Sequence, residues 1–398
     1  VKTHGKSPNQ ALTTFVISMI FGGVVGFFAV GHVLGPPSDQ SPAEFAGHAV
    51  KVLISFFAIV ALQVFIHEFG HFAAGKLARF ELAEFYVKPI RMSKKMGRWA
   101  LSYELKHPLL GYVAMVPKGD DRLVARFRWV VAGGILANLA VGILALPFVL
   151  LQPASDVNPL TSGWLWLLTS LLFVVANGAP YVSRGNSTDG KILWNLRRDD
   201  PNARRTIALL IISRELLANK RPRDLSPSAI KNLAEPQDGS PSEMISLFYS
   251  CHYFADNDRW DEFWKATERT KALLDRPGGK EGVAAQVAGH LYAFTVAWRA
   301  NRPEEAQQFL EELPDRLSAL KTSRKLACAA IACRLGQRER AKALCDEVEK
   351  LWRNERGASG LGDATALELI QEIRAECEKI ETKQQVERSK DMSTLNPE

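Results

Sequence analysis

The segment His67-Glu68-Phe69-Gly70-His71 sets two imidazoles four residues apart, with a carboxylate beside the first. On an α-helix each residue advances about 100°, so His67 and His71 share one face, the spacing that two zinc ligands need. Glu68 stands beside them, where a carboxylate can take a proton from a water held by such a metal. All five cysteines (Cys251, Cys328, Cys333, Cys345 and Cys377) fall in the polar half of the chain. A third ligand should therefore be a carboxylate or another histidine. A pair of hydrogen-bonded core histidines would give the same pattern. The setting favours a metal: Val52 to Ile66 carry no charge, with Gln63 as the one amide. Ionisable groups in so apolar a helix cost roughly 2.5–3.5 kcal/mol at a bilayer centre and point to function.

The elements that must hold this pair read as membrane spans. Leu12 to Leu34 is an uncharged stretch long enough to cross a bilayer, closed by Gly35-Pro36-Pro37. It lacks the short apolar core and small-residue cleavage site of a signal peptide, so it reads as a retained helix. The histidine-bearing helix, Val52 to Lys76, is the second span. Trp129 to Leu151 is the third and Leu160 to Val182 the fourth. The net charge is +7. Twelve Lys/Arg against five Asp/Glu lie in residues 76–128, a single loop between spans, so the excess does not read as nucleic-acid binding. The other two loops carry no Lys or Arg. By the positive-inside rule the N-terminus, the basic segment and everything after the fourth span are cytosolic. Within the basic segment, Leu82 to Val87, Trp99 to Leu105 and Gly111 to Val116 are rich in aromatic and β-branched residues. They predict strands of a small sheet.

Asp189-Gly190 follows the fourth span on the inner side. The histidines lie about 22 Å along their helix from its outer end, which also puts them towards the inside, so the two can meet. The other reading of Asp189-Gly190 is a helix N-cap with a turn glycine. Asn138 and Asn177 are amides in apolar helices; they either hold the backbone or oxyanion of a substrate or bond helix to helix. Gln63, one turn before His67, is a candidate support for a ligand.

The chain resembles the site-2 protease family of intramembrane zinc metallopeptidases. The resemblance rests on His67-Glu68-Phe69-Gly70-His71, Gly111-Tyr112-Val113-Ala114-Met115, Ala132-Gly133-Gly134-Ile135-Leu136-Ala137-Asn138, and Asn177, Pro180 and Asp189-Gly190, in the family's order across residues 50–195. It implies one Zn2+ per chain held by His67, His71 and Asp189, Glu68 as catalytic base, and a transmembrane protein substrate. Gly134 stands where the family usually has proline, and the segment from Pro180 to Asp189 is longer than the family's compact form. The helical tail lies outside these motifs, and no segment has the length and composition of an inserted PDZ domain.

From about Thr206 the chain becomes a string of amphipathic helices. Breaks at Asp256-Asn257-Asp258, Asn301-Arg302-Pro303 and Gly336-Gln337 divide it into hairpins at a period near that of tetratricopeptide solenoids. An irregular helical bundle is the other reading. The odd cysteine count and helical setting suggest reduced thiols in the cytosol.

The expected fold is therefore mainly α: a polytopic helix bundle of about four spans with a small β element, then a cytosolic repeat-like domain. The expected divisions are residues 1–48 (first span and outer loop), 49–199 (metalloprotease core), 200–380 (tetratricopeptide-like, with a possible cytosolic protein partner) and 381–398 (disordered). The contrasting functional reading is an inactive membrane adaptor whose tail recruits partners; a small-solute transporter fits four spans and an adjacent base poorly.

Overall fold

A computed structural model describes residues 41–95, 98–105, 109–151, 163–183, 186–218, 220–314, 321–355 and 367–379. The expected first span and the terminal segment 381–398 lie outside the described residues. Two compact units divide between Ala203 and Arg204, with residues 95–97 grouped with the second.

The first unit begins with α1, Pro42–Leu77. Ser41 starts it: its Oγ accepts from the Glu44 N–H while Glu44 Oε2 accepts from the Ser41 N–H, a reciprocal cap with Pro42 behind it. The helix so begins well before Val52, within what the sequence suggested as loop. Arg126 closes the other end, donating to the carbonyl of Ala78 and to that of Arg79, which also accepts from the Lys118 N–H. Four strands follow: β1 Phe80–Val87, β2 Ile90–Lys95, β3 Arg98–Tyr103 and β4 Gly111–Pro117. They form one sheet in the order β3-β2-β1-β4, with β1 antiparallel to both β2 and β4. The expected strands are present. β2 is an addition: Ile90 and Met92 alternate with Arg91 and Ser93, but the pattern ends there in Lys94-Lys95, too short a run to mark a strand.

Helix α2, Leu123–Leu151, returns along α1. The two meet at Gly70 and Gly133, where a Cβ on either would stand 2.4 Å from the other's carbonyl oxygen. Only glycine permits that approach, and close backbone packing is how apolar helices associate without a hydrophobic drive. α3 covers Gly163–Gly178 and ends short of the expected Val182, while residues 160–162 lie outside the described residues. It stops where Asn177-Gly178-Ala179-Pro180 breaks the helix, since the residue before a proline is driven from helical geometry. Among the described residues, two helices are long and apolar enough to cross a membrane, Val50–Leu77 and Leu123–Leu151. A two-strand hairpin follows, β5 Val182–Ser183 and β6 Asn186–Ser187, then α4, Asp189–Arg198.

The second unit is helical. α5 (Pro201–Leu217) leads into it, followed by α6 (Pro227–Ala234). Then come α7 (Pro241–Asp256), α8 (Trp260–Leu274), α9 (Val283–Trp298), α10 (Pro303–Glu312), α11 (Lys321–Arg334), α12 (Arg338–Glu355) and α13 (residues 367–379). All three expected breaks separate helices. Each contains a left-handed residue that a helix cannot continue through: Asp258 (φ 56°), Asn301 (φ 54°) and Gly336 (φ 75°). α9 is buried almost all round and touches α7, α8, α10 and α11. Its near-continuous apolar surface makes it the central helix rather than a surface one. Among the described residues no disulfide forms; all five cysteines are free and Cys328 alone is not fully buried.

Candidate metal centre

α1 presents His67 and His71 on one face, their rings edge to face with centroids 4.6 Å apart. Asp189 reaches them from far along the chain. The residues between Pro180 and Asp189 are taken up by the β5–β6 hairpin, which brings Thr188 back onto Tyr181: the Thr188 N–H donates to the Tyr181 carbonyl at 3.1 Å. The Thr188 hydroxyl donates to Ala179 O at 2.6 Å and accepts from the Lys191 N–H at 3.2 Å, capping α4. The cap is thus Thr188, not Asp189, which frees the Asp189 carboxylate to turn inward. Gly190 lies so close to the end of α3 that an added Cβ would fall 1.8 Å from Gly178 O. The longer segment is an excursion that returns to its starting point.

Three ligand atoms converge. Asp189 Oδ2 lies 2.9 Å from His67 Nε2 and 3.3 Å from His71 Nε2, and the two nitrogens are 3.1 Å apart. Ligands about 2.0–2.1 Å from a tetrahedral centre stand roughly 3.3 Å from one another, so the spacing fits one metal ion. The protonation pattern fits as well. His71 Nδ1 lies 2.8 Å from the Val130 carbonyl, which can only accept, so that nitrogen carries the proton. The Gly134 N–H approaches the same nitrogen at 3.3 Å, a longer and weaker contact. His67 Nδ1 lies 2.7 Å from Asn138 Oδ1. The Asn138 amide is oriented by a backbone carbonyl, because its Nδ2 donates to Gln63 O at 3.1 Å. Its oxygen therefore faces His67, and Nδ1 of His67 is again the donor. Both Nε2 lone pairs then point at Asp189 Oδ2, which is buried and accepts no hydrogen bond. Three acceptors packed together with no proton between them repel one another unless a cation joins them.

A model of peptidase family M50 matches residues 55–375. The chain belongs to that family. The match runs beyond residue 195, where the sequence motifs end, and takes in most of the helical second unit. Family M50 consists of membrane-embedded zinc metallopeptidases, in keeping with the donor set and the two long apolar helices. No curated protein and no solved structure matches the chain.

The other expected residues of this M50 chain are distributed as follows. Glu68 is buried beside the cluster and close enough to interact electrostatically with His67, His71 and Asp189. The first residue of β4 packs on it, since a Cβ on Gly111 would stand 2.9 Å from Glu68 Oε1. Asn138 is fully buried, with its amide engaged by His67 and Gln63. Asn177 donates to Phe173 O of its own helix at 3.0 Å. Two features were not anticipated. Gly134 makes room for both histidines, as a Cβ there would meet His71 Nε2 at 2.5 Å and His67 Cε1 at 2.7 Å. Thr169 and Ser170, buried hydroxyls on α3, face the Gln63 amide. The signal for them was present: adjacent hydroxyls within an otherwise apolar helix.

Proposed function

We infer that this M50 peptidase is an intramembrane zinc metalloendopeptidase that hydrolyses a peptide bond in or near the cytosolic part of a transmembrane substrate. The observation that carries this is the convergence of His67, His71 and Asp189 with Glu68 beside them. When bound, zinc supplies a Lewis acid that polarises the scissile carbonyl and acidifies the attacking water. Glu68 takes the proton from that water and passes it to the leaving amine nitrogen, the task of a general base that then acts as acid. His67, His71 and Asp189 hold the metal; Asn138 and Val130 O fix which nitrogen each imidazole offers.

A substrate helix hides its amides in its own hydrogen bonds and must be opened before it can be cut. β4 is a sheet edge, and its first residue lies against Glu68. An unwound substrate segment that adds to this edge as a strand would have its backbone held beside the base. The polar contacts of Asn138 and of Asn177 lie within the chain itself, so backbone amides of β4 are the better candidates for substrate contact. The basic residues of 76–128 support a cytosolic position for the sheet and for the second unit. The hairpins α7–α8, α9–α10 and α11–α12 support a tetratricopeptide-like surface for the cytosolic part of the substrate or a protein partner.

The test is Glu68→Gln in native membranes. It should retain zinc, abolish cleavage and hold uncut transmembrane proteins, with wild-type products ending in the cytosolic third of the substrate span by mass spectrometry. Zinc-loaded wild-type enzyme that cuts none of the proteins so captured would favour an inactive adaptor, and product ends in the outer half would overturn the orientation.

A further inference from the structure

A chain of buried polar side chains runs away from the candidate metal centre through the three described apolar helices of the first unit, α1, α2 and α3. It begins at His67, whose Nδ1–H donates to Asn138 Oδ1 at 2.7 Å. Asn138 Nδ2 donates twice, to Gln63 O at 3.1 Å and to Gln63 Oε1 at 2.6 Å. The orientation of the Asn138 amide fixes that of the Gln63 amide, whose Nε2 then donates to Ser170 Oγ at 2.6 Å and approaches Thr169 Oγ1 at 3.5 Å. Thr169 Oγ1 itself donates to Leu165 O at 2.7 Å, so it can only receive from Gln63. Gln63, Asn138 and Ser170 are each 0% exposed. Every member thus donates in one direction, from His67 to Asn138 to Gln63 to Ser170.

We propose that Gln63 and Ser170 are positioning residues for His67, acting through Asn138. The proposal rests on the reading of His67 as a zinc ligand. The chemistry gives each a distinct task. Asn138 sets the tautomer and ring plane of His67. The backbone carbonyl of residue 63 can orient the Asn138 amide by itself, but it satisfies only one of the two Nδ2 hydrogens. Gln63 Oε1 takes the second, and in an apolar interior an amide held at both hydrogens has no competing orientation. Ser170 anchors the far end of Gln63 to α3, so that helix braces a ligand on α1 that it does not itself touch with a ligand atom. Gln63 shares a face with His67 one turn away, a spacing at which one α1 side chain can support the neighbour of another. An apolar residue of the same shape at 63 would fill the space but leave Asn138 with one buried hydrogen unpaired.

Zinc dissociation constants of the full chain in detergent, measured by chelator competition, test this. Asn138→Leu should bind zinc about 10–100-fold more weakly, the usual effect of losing a partner of a metal-bound histidine. Gln63→Met should weaken binding by about tenfold, and Ser170→Ala by less. Gln63→Glu should stay close to wild type, because in this apolar interior it is held as the neutral acid, one oxygen accepting from Asn138 and the O–H donating to Ser170 Oγ. In the Asn138→Leu background Gln63→Met should add no further loss, since its route to His67 is already cut. Gln63→Met with unchanged affinity, or losses that multiply in the double variant, would overturn the proposal. If Gln63→Met fails to fold, the same reading falls to Ser170→Ala, where unchanged affinity in a fully folded protein is the overturning result. His67→Ala is the control: zinc retained there would refute the metal reading itself, a failure distinct from that of the positioning chain.

Discussion

In the first unit Leu53, Ile54, Phe57, Ile143, Leu144 and Phe148 stand exposed on α1 and α2, while Gln63, Asn138, Thr169 and Ser170 are buried. In the second unit the order is reversed. Its core is a continuous cluster from Ala208 to Cys377, and among its described residues only Leu217, Trp260 and Val283 are large exposed apolar side chains. The first unit keeps its polar atoms inside because its outer surface faces hydrocarbon, and there Gln63, Asn138, Thr169 and Ser170 partner one another. The second keeps its apolar atoms inside because its surface faces water, and its stability comes from burial. Function and stability are therefore concentrated in different places: on a few side chains near His67 in one unit, and across many packed residues in the other.

The sharpest way to break this contrast is at Glu68. Glu68→Gln should cut turnover by about 10²–10⁴-fold, the range for a lost general base, with zinc content and melting temperature unchanged. Lost zinc in a folded protein would make Glu68 a ligand and undo its separation from His67, His71 and Asp189. Residues 204–380 expressed alone should melt cooperatively by circular dichroism, and within them Leu273→Ala, at a site with 0% exposure, should cost about 2–5 kcal/mol. A segment that does not fold would mean that the second unit is not stabilised by its own core.

The same segment should respond to acid. His252 lies in α7 with its Nε2 buried and unpartnered, and burial pushes its pKa down to about 4 from 6.5. Unfolding lets it bind a proton, so stability is full above about pH 6.5, falls as the pH drops, and levels off below about 4, a loss of roughly 3 kcal/mol. His252→Phe should flatten that part of the urea-denaturation profile. A smaller effect is expected at Gly134→Ala, whose Cβ would press on His67 and His71, with about 1–3 kcal/mol of strain read as a lower melting temperature and weaker zinc binding. The smallest is Leu144→Ala, on the exposed face of α2: within about 0.5 kcal/mol in detergent, against the large cost at Leu273.

How much could be read in advance follows the same division. The histidine pair was legible because it is local: two histidines one helical turn apart in an uncharged stretch. The breaks of the second unit were legible because Asp258, Asn301 and Gly336 are residue types that tolerate left-handed backbone. The Asp189 position was less so, since an eight-residue excursion gives no hint that Thr188 will fold back on Ala179. Strand β2 was passed over, since its alternation is confined to Ile90-Arg91-Met92-Ser93 and three of its six residues are basic. The chain from His67 to Ser170 joins side chains more than a hundred positions apart, and only packing brings those together. The short reach of α3 reflects a local break, Gly178 to Pro180, that counting apolar residues passes over.

The return hairpin has a consequence for the making of the molecule. His67 and His71 are synthesised well before Asp189, so the three acceptors assemble only once β5 and β6 have delivered α4 to the end of α3. Residues 206–380 are still to come, and at about 5–20 residues per second they take roughly 10–35 s. The donor set is thus encoded wholly ahead of the second unit, and its assembly requires nothing from that unit.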